Sequence, residues 1–542
     1  MKKLISILST LLLLVSCDLI EKPYTVSQQN LESPEQFITG IYDVFWSSYL
    51  MKKTYMECID MDHDLSCAHS WVLTGVGNGN MTTHWSYNSS TDPFNVFYKI
   101  INRANFALEN IDKFTNETQE KRNSLMGEAY FLRAYAYFHL VRMYGKVPLR
   151  LTFSTPTDMV RSSVKDVFNQ IVADLDNASK MITNWGMNSA DWGHASKTAA
   201  ILLMAKAYAT MGSGSLSGNA QITVNIKGTK TLFTTDVVTG YQEFDAQKCY
   251  KRADSLATIV IGRKGLEFDL KDSYLKIWGA PNFRNNEFVW GVVGYNNTNY
   301  TTEHLGHYYS PIPFNGRGYA GISTHAYNLY EATDDRGLNG VFHYFQTMYS
   351  SITAYGYYRF PDNATLYPKG PNGLASRGGA NTYMVFTTKW FTGDIANPVV
   401  NTVAPGYSFV PQDVIMLRFA EAYLIRAEAR NEMGNSTGAI ADIDVIRGRA
   451  KATLKTGTTT DKTEIRSLVF EERARELMQE FNRKFDLLRW GLYLKVMNAT
   501  GTIAGQNNAV ISKTREPRSV LYAAPTDEVL TNKLFGSNNE GW

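Results

Sequence analysis

Two kinds of segment divide the 542-residue chain. Toward both ends, apolar residues recur three and four apart, the spacing of one helical face. In 94–111 they fall at positions 97, 100, 101, 104 and 108. The stretch GEAYFLRAYAYFHLVRMYGKVPLR (127–150) follows, and Gly145 and Pro148 stop its helix. Further helices are predicted at 164–182, 197–211 and 245–261, then at 413–433, 438–450, 462–480 and 482–498. Between 212 and 240 the pattern changes to a Gly/Ser loop, GSGSLSG, and two short β-like runs that predict a hairpin. Residues 266–412 differ again, with Gly, Asn, Pro, Tyr and Trp in long irregular runs. Such runs inside a folded protein are uncommon and often functional.

Positions 417–450 read as a helix–turn–helix of tetratricopeptide length, with small residues at Ala420, Ala422, Ala427 and Ala429 and a turn at Gly434-Asn435. The fold class expected is therefore mostly α: a tetratricopeptide-like scaffold (34–265 and 413–498), a small β excursion, a loop-rich insertion (266–412) and a tail (499–542). On a helical wheel, 127–144 is apolar or aromatic almost all round. Glu128, His139 and Arg142 share one sector, and Arg133 is the exception. A helix of that kind is buried rather than displayed.

The first residues change the picture of where the chain works. Lys2 and Lys3 precede an apolar run ending in LVSC, too short to span a bilayer and read as a secretory signal over 1–16. LVSC resembles a lipobox, which makes Cys17 the lipidated residue and 17–33 a tether. Net charge is only +3, which offers no electrostatic case for nucleic acid. Three further cysteines, Cys58, Cys67 and Cys249, leave a Cys58–Cys67 bridge open.

Catalytic signatures are thin. There is no G-x-S-x-G elbow and no H-E-x-x-H, and no cofactor is implied. EHLGH (303–307) offers a weak metal spacing. DMDHD (60–64) begins like a calcium loop, but Leu65 and Trp71 stand where Gly and Glu are needed. In EERARELMQEFNRKFDLLRWG (471–491), Glu471–Arg475, Glu480–Lys484 and Asp486–Arg489 have the spacing of helical ion pairs and predict a paired structural face.

FLRAYAYFHLVRMYGKVPL, RFAEAYLIRAEARNEMG…AIADIDVIRGRA, ERARELMQEFNRKFDLLRWG and the tail PTDEVLTNKLFGSNNEGW resemble hallmarks of the SusD/RagB family of Bacteroidetes outer-membrane lipoproteins. Ala523-Ala524 departs from the family's Pro-Ile-Pro pattern. The resemblance implies a non-catalytic protein on the cell surface. It would bind oligosaccharide and deliver it to a TonB-dependent transporter. These are scaffold motifs, so they carry no ligand residues. Stacking rings and polar rim groups, the chemistry that sugars need, concentrate in two regions. One is 69–92, with Trp71, Trp85, Tyr87 and Asn88; in the family, the loop before this helix contributes to the site. The other is the insertion, with Trp278, Asn282, Arg284, Tyr295, Tyr309, Phe314, Arg317 and Tyr319. Trp85 and Trp278 are the expected anchors. A peptide ligand, or a glycoside hydrolase using two carboxylates, are the competing readings.

Overall fold

The computed structural model describes residues 33–47, 50, 54–68, 93–187, 191–279, 282, 284–294, 305–310, 320–347, 356–360, 384–391, 413–505 and 510–542. Helices dominate, and they pack as neighbours in sequence. Gln119–Tyr144 lies between Pro93–Asn110 and Val164–Met181, and Lys197–Leu216 pairs with Ala246–Ile261. Phe419–Glu432 then packs on Ser436–Arg449, Lys462–Glu476 and Ala246–Ile261, which joins the two ends of the scaffold.

The aromatic helix is a strut. It starts at a Thr118 cap, whose side chain accepts from Lys121 N at 3.2 Å, and it ends where Gly145 takes φ 70°. From Leu125 to Tyr144 only Tyr130 is not buried. Arg133, the polar residue off the shared sector, is neutralised by two hydrogen bonds to Asp174 at 2.7 and 2.8 Å.

Three elements depart from the expected pattern. GSGSLSG is not a loop at its start: the Lys197–Leu216 helix runs through it. Gly212 and Gly214 lie under the rings of Tyr250 and Tyr241, where a Cβ would come within 2.9 and 2.4 Å, so helix packing selects them. Residues Val414–Arg418 form a strand, antiparallel to Phe288–Val292, before the Phe419–Glu432 helix begins. The long helix expected over 482–498 is two, Arg483–Arg489 and Tyr493–Thr500. They break at Gly491 (φ 64°), where a Cβ would fall 1.9 Å from the Asp236 carbonyl oxygen. The hairpin is present, with Gln221–Ile226 paired to Thr229–Thr234.

Within the insertion, the described segments are short strands and turns laid against the scaffold. Ala320–Ser323 is the middle strand of a three-stranded sheet, between Ser66–Ala68 and Met384–Val385. One apolar cluster runs from Phe37 to Phe535 and takes in Trp290, Tyr309, Ile322 and Trp390. The tail closes over the end of the strut, where Asn539 Nδ2 donates to the carbonyls of Tyr144 (3.0 Å) and Tyr522 (2.7 Å). Ala524, at the departure from the family pattern, pairs its backbone with the Asn538 side chain at 2.8 and 3.1 Å. Cys58, Cys67 and Cys249 stand as separate buried thiols.

Candidate functional site

The described part of the insertion meets the scaffold through a raft of buried charges. Arg418 closes its strand and lies only 1% exposed. Its guanidinium reaches Glu287 at 2.6 Å, Glu476 at 2.7 Å and Glu480 at 2.8 Å. Lys389 donates to the Glu476 carbonyl at 2.8 Å and pairs with Glu480. Arg336 bridges Asp334, Glu472 and Glu476 at 2.8, 2.7 and 3.1 Å. Burial alone would raise the Glu472 carboxyl, but Arg336, Arg475 and Arg447 outweigh it and hold the group at about 2. Burial also pushes the Lys389 ammonium down to about 8, against the pull of Glu480. Charges this deep hold only because each has partners, and removing one strands the others.

This raft corrects the reading of 471–491. Glu471–Arg475 and Asp486–Arg489 do pair within their helices, both at 2.9 Å. Glu480 and Lys484 do not pair with each other. Glu480 serves Arg418 and Lys389, while Lys484 reaches Asp62 at 2.6 Å. The DMDHD loop is the other half of that arrangement. Asp62 also takes Arg515 at 2.8 Å, and Asp64 takes Arg483 at 2.7 and 2.9 Å. Protein cations thus satisfy Asp62 and Asp64, where a calcium loop would use a metal. Among the described residues no cluster of three or more His, Cys, Asp or Glu is arranged to hold a metal ion.

On the insertion side of the raft lie the candidate residues that the structure describes. Trp278 is not an exposed platform. It is 3% exposed and packs against Phe288 and Trp390, with the Lys389 and Arg418 cations 5.4 and 5.7 Å from its ring. Tyr309 is likewise buried; it stacks near Trp390 and donates to Asp60 at 2.9 Å. Asn282 turns inward and donates to the carbonyls of Leu275 (3.0 Å) and Trp278 (2.8 Å), so its amide shapes the turn and is not offered to a ligand. These are corrections to the expected site: the rings and the amide are spent on packing.

Arg284 is more open to solvent than these residues. At φ 60° its backbone is left-handed. Nε donates to Asp413 at 3.0 Å, and the side chain is 38% exposed. Beside it the Trp278 indole N–H meets no acceptor among the described residues. Arg284, Trp278, Lys389, Trp390 and Asp413 surround a cleft with room for about one water molecule. It could take a hydroxyl, not a sugar ring. Trp71, Trp85, Tyr87, Asn88, Tyr295, Phe314, Arg317 and Tyr319 lie outside the described residues, as do Cys17 and His304 of EHLGH. The residues that sequence reasoning missed are Glu287, Lys389, Trp390 and Arg418. The one signal was an arginine inside the apolar run VIMLRFAEAY.

The fold agrees with comparisons to known proteins. Residues 271–535 match the model of the SusD family, and residues 20–209 match a model described as starch-binding, associating with the outer membrane. The chain belongs to the SusD/RagB family. A SusD-like protein of Formosa agariphila is 25% identical to it, covering 92% of this chain and 94% of the relative. The starch-binding protein SusD of Bacteroides thetaiotaomicron is 24% identical, covering 90% and 85%. Among solved SusD-like structures, a SusD homologue from Bacteroides thetaiotaomicron superposes with a TM-score of 0.72 at 20% identity, over 94% of this chain and 96% of the other. A laminarin-binding SusD-like protein superposes at 0.65 and 18% identity, over 94% and 99%. The structural likeness fixes the SusD-like fold. No helix among the described residues is long and apolar enough to cross a membrane.

Proposed function

We propose that this SusD-family chain is a non-catalytic, cell-surface glycan-binding lipoprotein. It is anchored through Cys17 and passes captured oligosaccharide to a TonB-dependent transporter in the outer membrane. The observation that carries the reading is the near full-length match to a family whose relatives include starch- and laminarin-binding proteins. The burial of Trp278 and Tyr309 supports placing the ligand above the described floor. The rings of 69–92 and the remainder of the insertion would then meet the sugar, with Arg284 at the edge.

Calorimetry of the full-length chain in detergent, titrated with a panel of oligosaccharides and peptides, tests the ligand class. A glycan is expected to bind, and its chains should remain uncut afterwards. Trp85→Ala should weaken that binding by ~1–3 kcal/mol, as expected for an aromatic anchor. Trp278→Ala should leave affinity intact and lower stability by about 3–5 kcal/mol, the cost of truncating a buried large aromatic. Binding of a peptide and of no glycan would overturn the reading, and new reducing ends would point to a hydrolase.

A further inference from the structure

Away from the insertion, five helices of the scaffold enclose a second small cavity. Arg142 enters it from the strut, Lys206 from Lys197–Leu216, and Arg473 from Lys462–Glu476. Asp486 and Arg489 enter from Arg483–Arg489, with Asn482 at that helix's start. The space holds about one water-sized particle. Its walls are unusually basic. Glu421 serves Lys206 (2.9 Å) and Arg473 (3.3 Å). Asp486 serves Arg473 and Arg489, both at 2.9 Å, and Glu428 takes the remaining Arg489 nitrogens.

Those three carboxylates account for three cations, and Arg142 is the fourth. Among the described residues no carboxylate is in hydrogen-bonding reach of it. Its guanidinium lies between the rings of Phe138 and Phe485, 3.8 and 3.7 Å from their centroids. Nε donates to the Phe138 carbonyl at 3.0 Å and Nη2 to the His139 ring at 3.1 Å. That imidazole supplies no negative charge, and burial together with Arg142 and Lys206 holds its pKa well below the ordinary value. Nη1 of Arg142 and Nη1 of Arg473 have no protein acceptor among the described residues. A guanidinium this deep is costly without a counter-charge. Ring faces offset only part of that cost.

We propose that this cavity is a binding site for a single monatomic anion, chloride in the natural setting, held between the guanidinium groups of Arg142 and Arg473. The anion supplies the missing counter-charge and fits where a carboxylate or an oxyanion does not. It is a structural ligand of the scaffold and is independent of glycan recognition.

Crystals of the full-length protein soaked in sodium bromide test this directly. An anomalous peak is expected between Arg142 and Arg473, and ordered water or no density there overturns the proposal. In solution, the thermal midpoint should rise in potassium chloride relative to potassium gluconate at equal ionic strength. Tenfold excess over the dissociation constant gives roughly 1 °C for a chain of this size. Arg142→Met should abolish the difference. If that variant does not fold, the wild-type bromide map still decides. Equal midpoints together with an empty map would overturn the proposal.

Discussion

Asp60 sits where three parts of the molecule meet. Its carboxylate accepts from Tyr309 of the insertion at 2.9 Å and from the backbone N–H of Phe481 at 3.0 Å. Burial raises its pKa to about 7, hydrogen bonds from Tyr309 and Phe481 and the nearby Lys389 offset part of the rise, and Glu480 adds to it. The sign of the consequence follows from proton binding. Between about pH 4 and pH 7 the native state keeps a proton that the unfolded chain has released. This group's contribution therefore falls as pH rises, by roughly 4 kcal/mol at most. His63, His139 and His325 are shifted down by burial and act in the opposite sense. The Asp60 effect is thus the difference between wild-type and Asp60→Asn urea midpoints measured from pH 4 to 8. That difference should grow in favour of Asp60→Asn up to pH 7 and then level off. A constant difference would show that Asp60 is ionised throughout. At this scale the sequence was least legible. Trp278 and Tyr309 have the composition of a sugar platform, yet whether a ring faces solvent depends on what packs over it from far along the chain, as Trp390 does on both rings.

The helices were legible because periodicity is local, and their exceptions have local causes that no periodicity carries. Gly212 and Gly214 look like loop glycines until the rings of Tyr250 and Tyr241 are placed over them. VIMLR reads as helix until Phe288–Val292 arrives to pair with it. That strand pair and the raft beneath it hold the insertion to the scaffold, and Arg418 is the central tie. Arg418→Met should lower stability by about 3–5 kcal/mol, because Glu287, Glu476 and Glu480 stay buried with one cation fewer. The exposed pair Lys276–Asp272, whose side chains are 60% and 73% exposed, is the internal control. Lys276→Ala should cost under ~1 kcal/mol. Urea unfolding of both variants checks the contrast, and similar costs would mean that the raft is not what fastens the insertion.

Across the whole molecule, family motifs made the architecture readable from end to end, while the ligand face remained opaque because those motifs belong to the scaffold. The DMDHD loop shows why the motifs recur together. Asp62 and Asp64 lie near the start of the described chain, and their cations Arg483, Lys484 and Arg515 lie 419, 422 and 453 residues onward. A chain stopped after Gln479 should remain open to trypsin under conditions where the full chain resists, since that loop would bury its carboxylates without partners. A trypsin-resistant fragment of that length would refute the dependence. The same pairing also sets an order of events. Contacts of such long sequence separation form late, after much of the chain is available. By lodging the counter-charges of the DMDHD loop more than 400 residues onward, this sequence postpones the closure of that loop until nearly all of the chain is present.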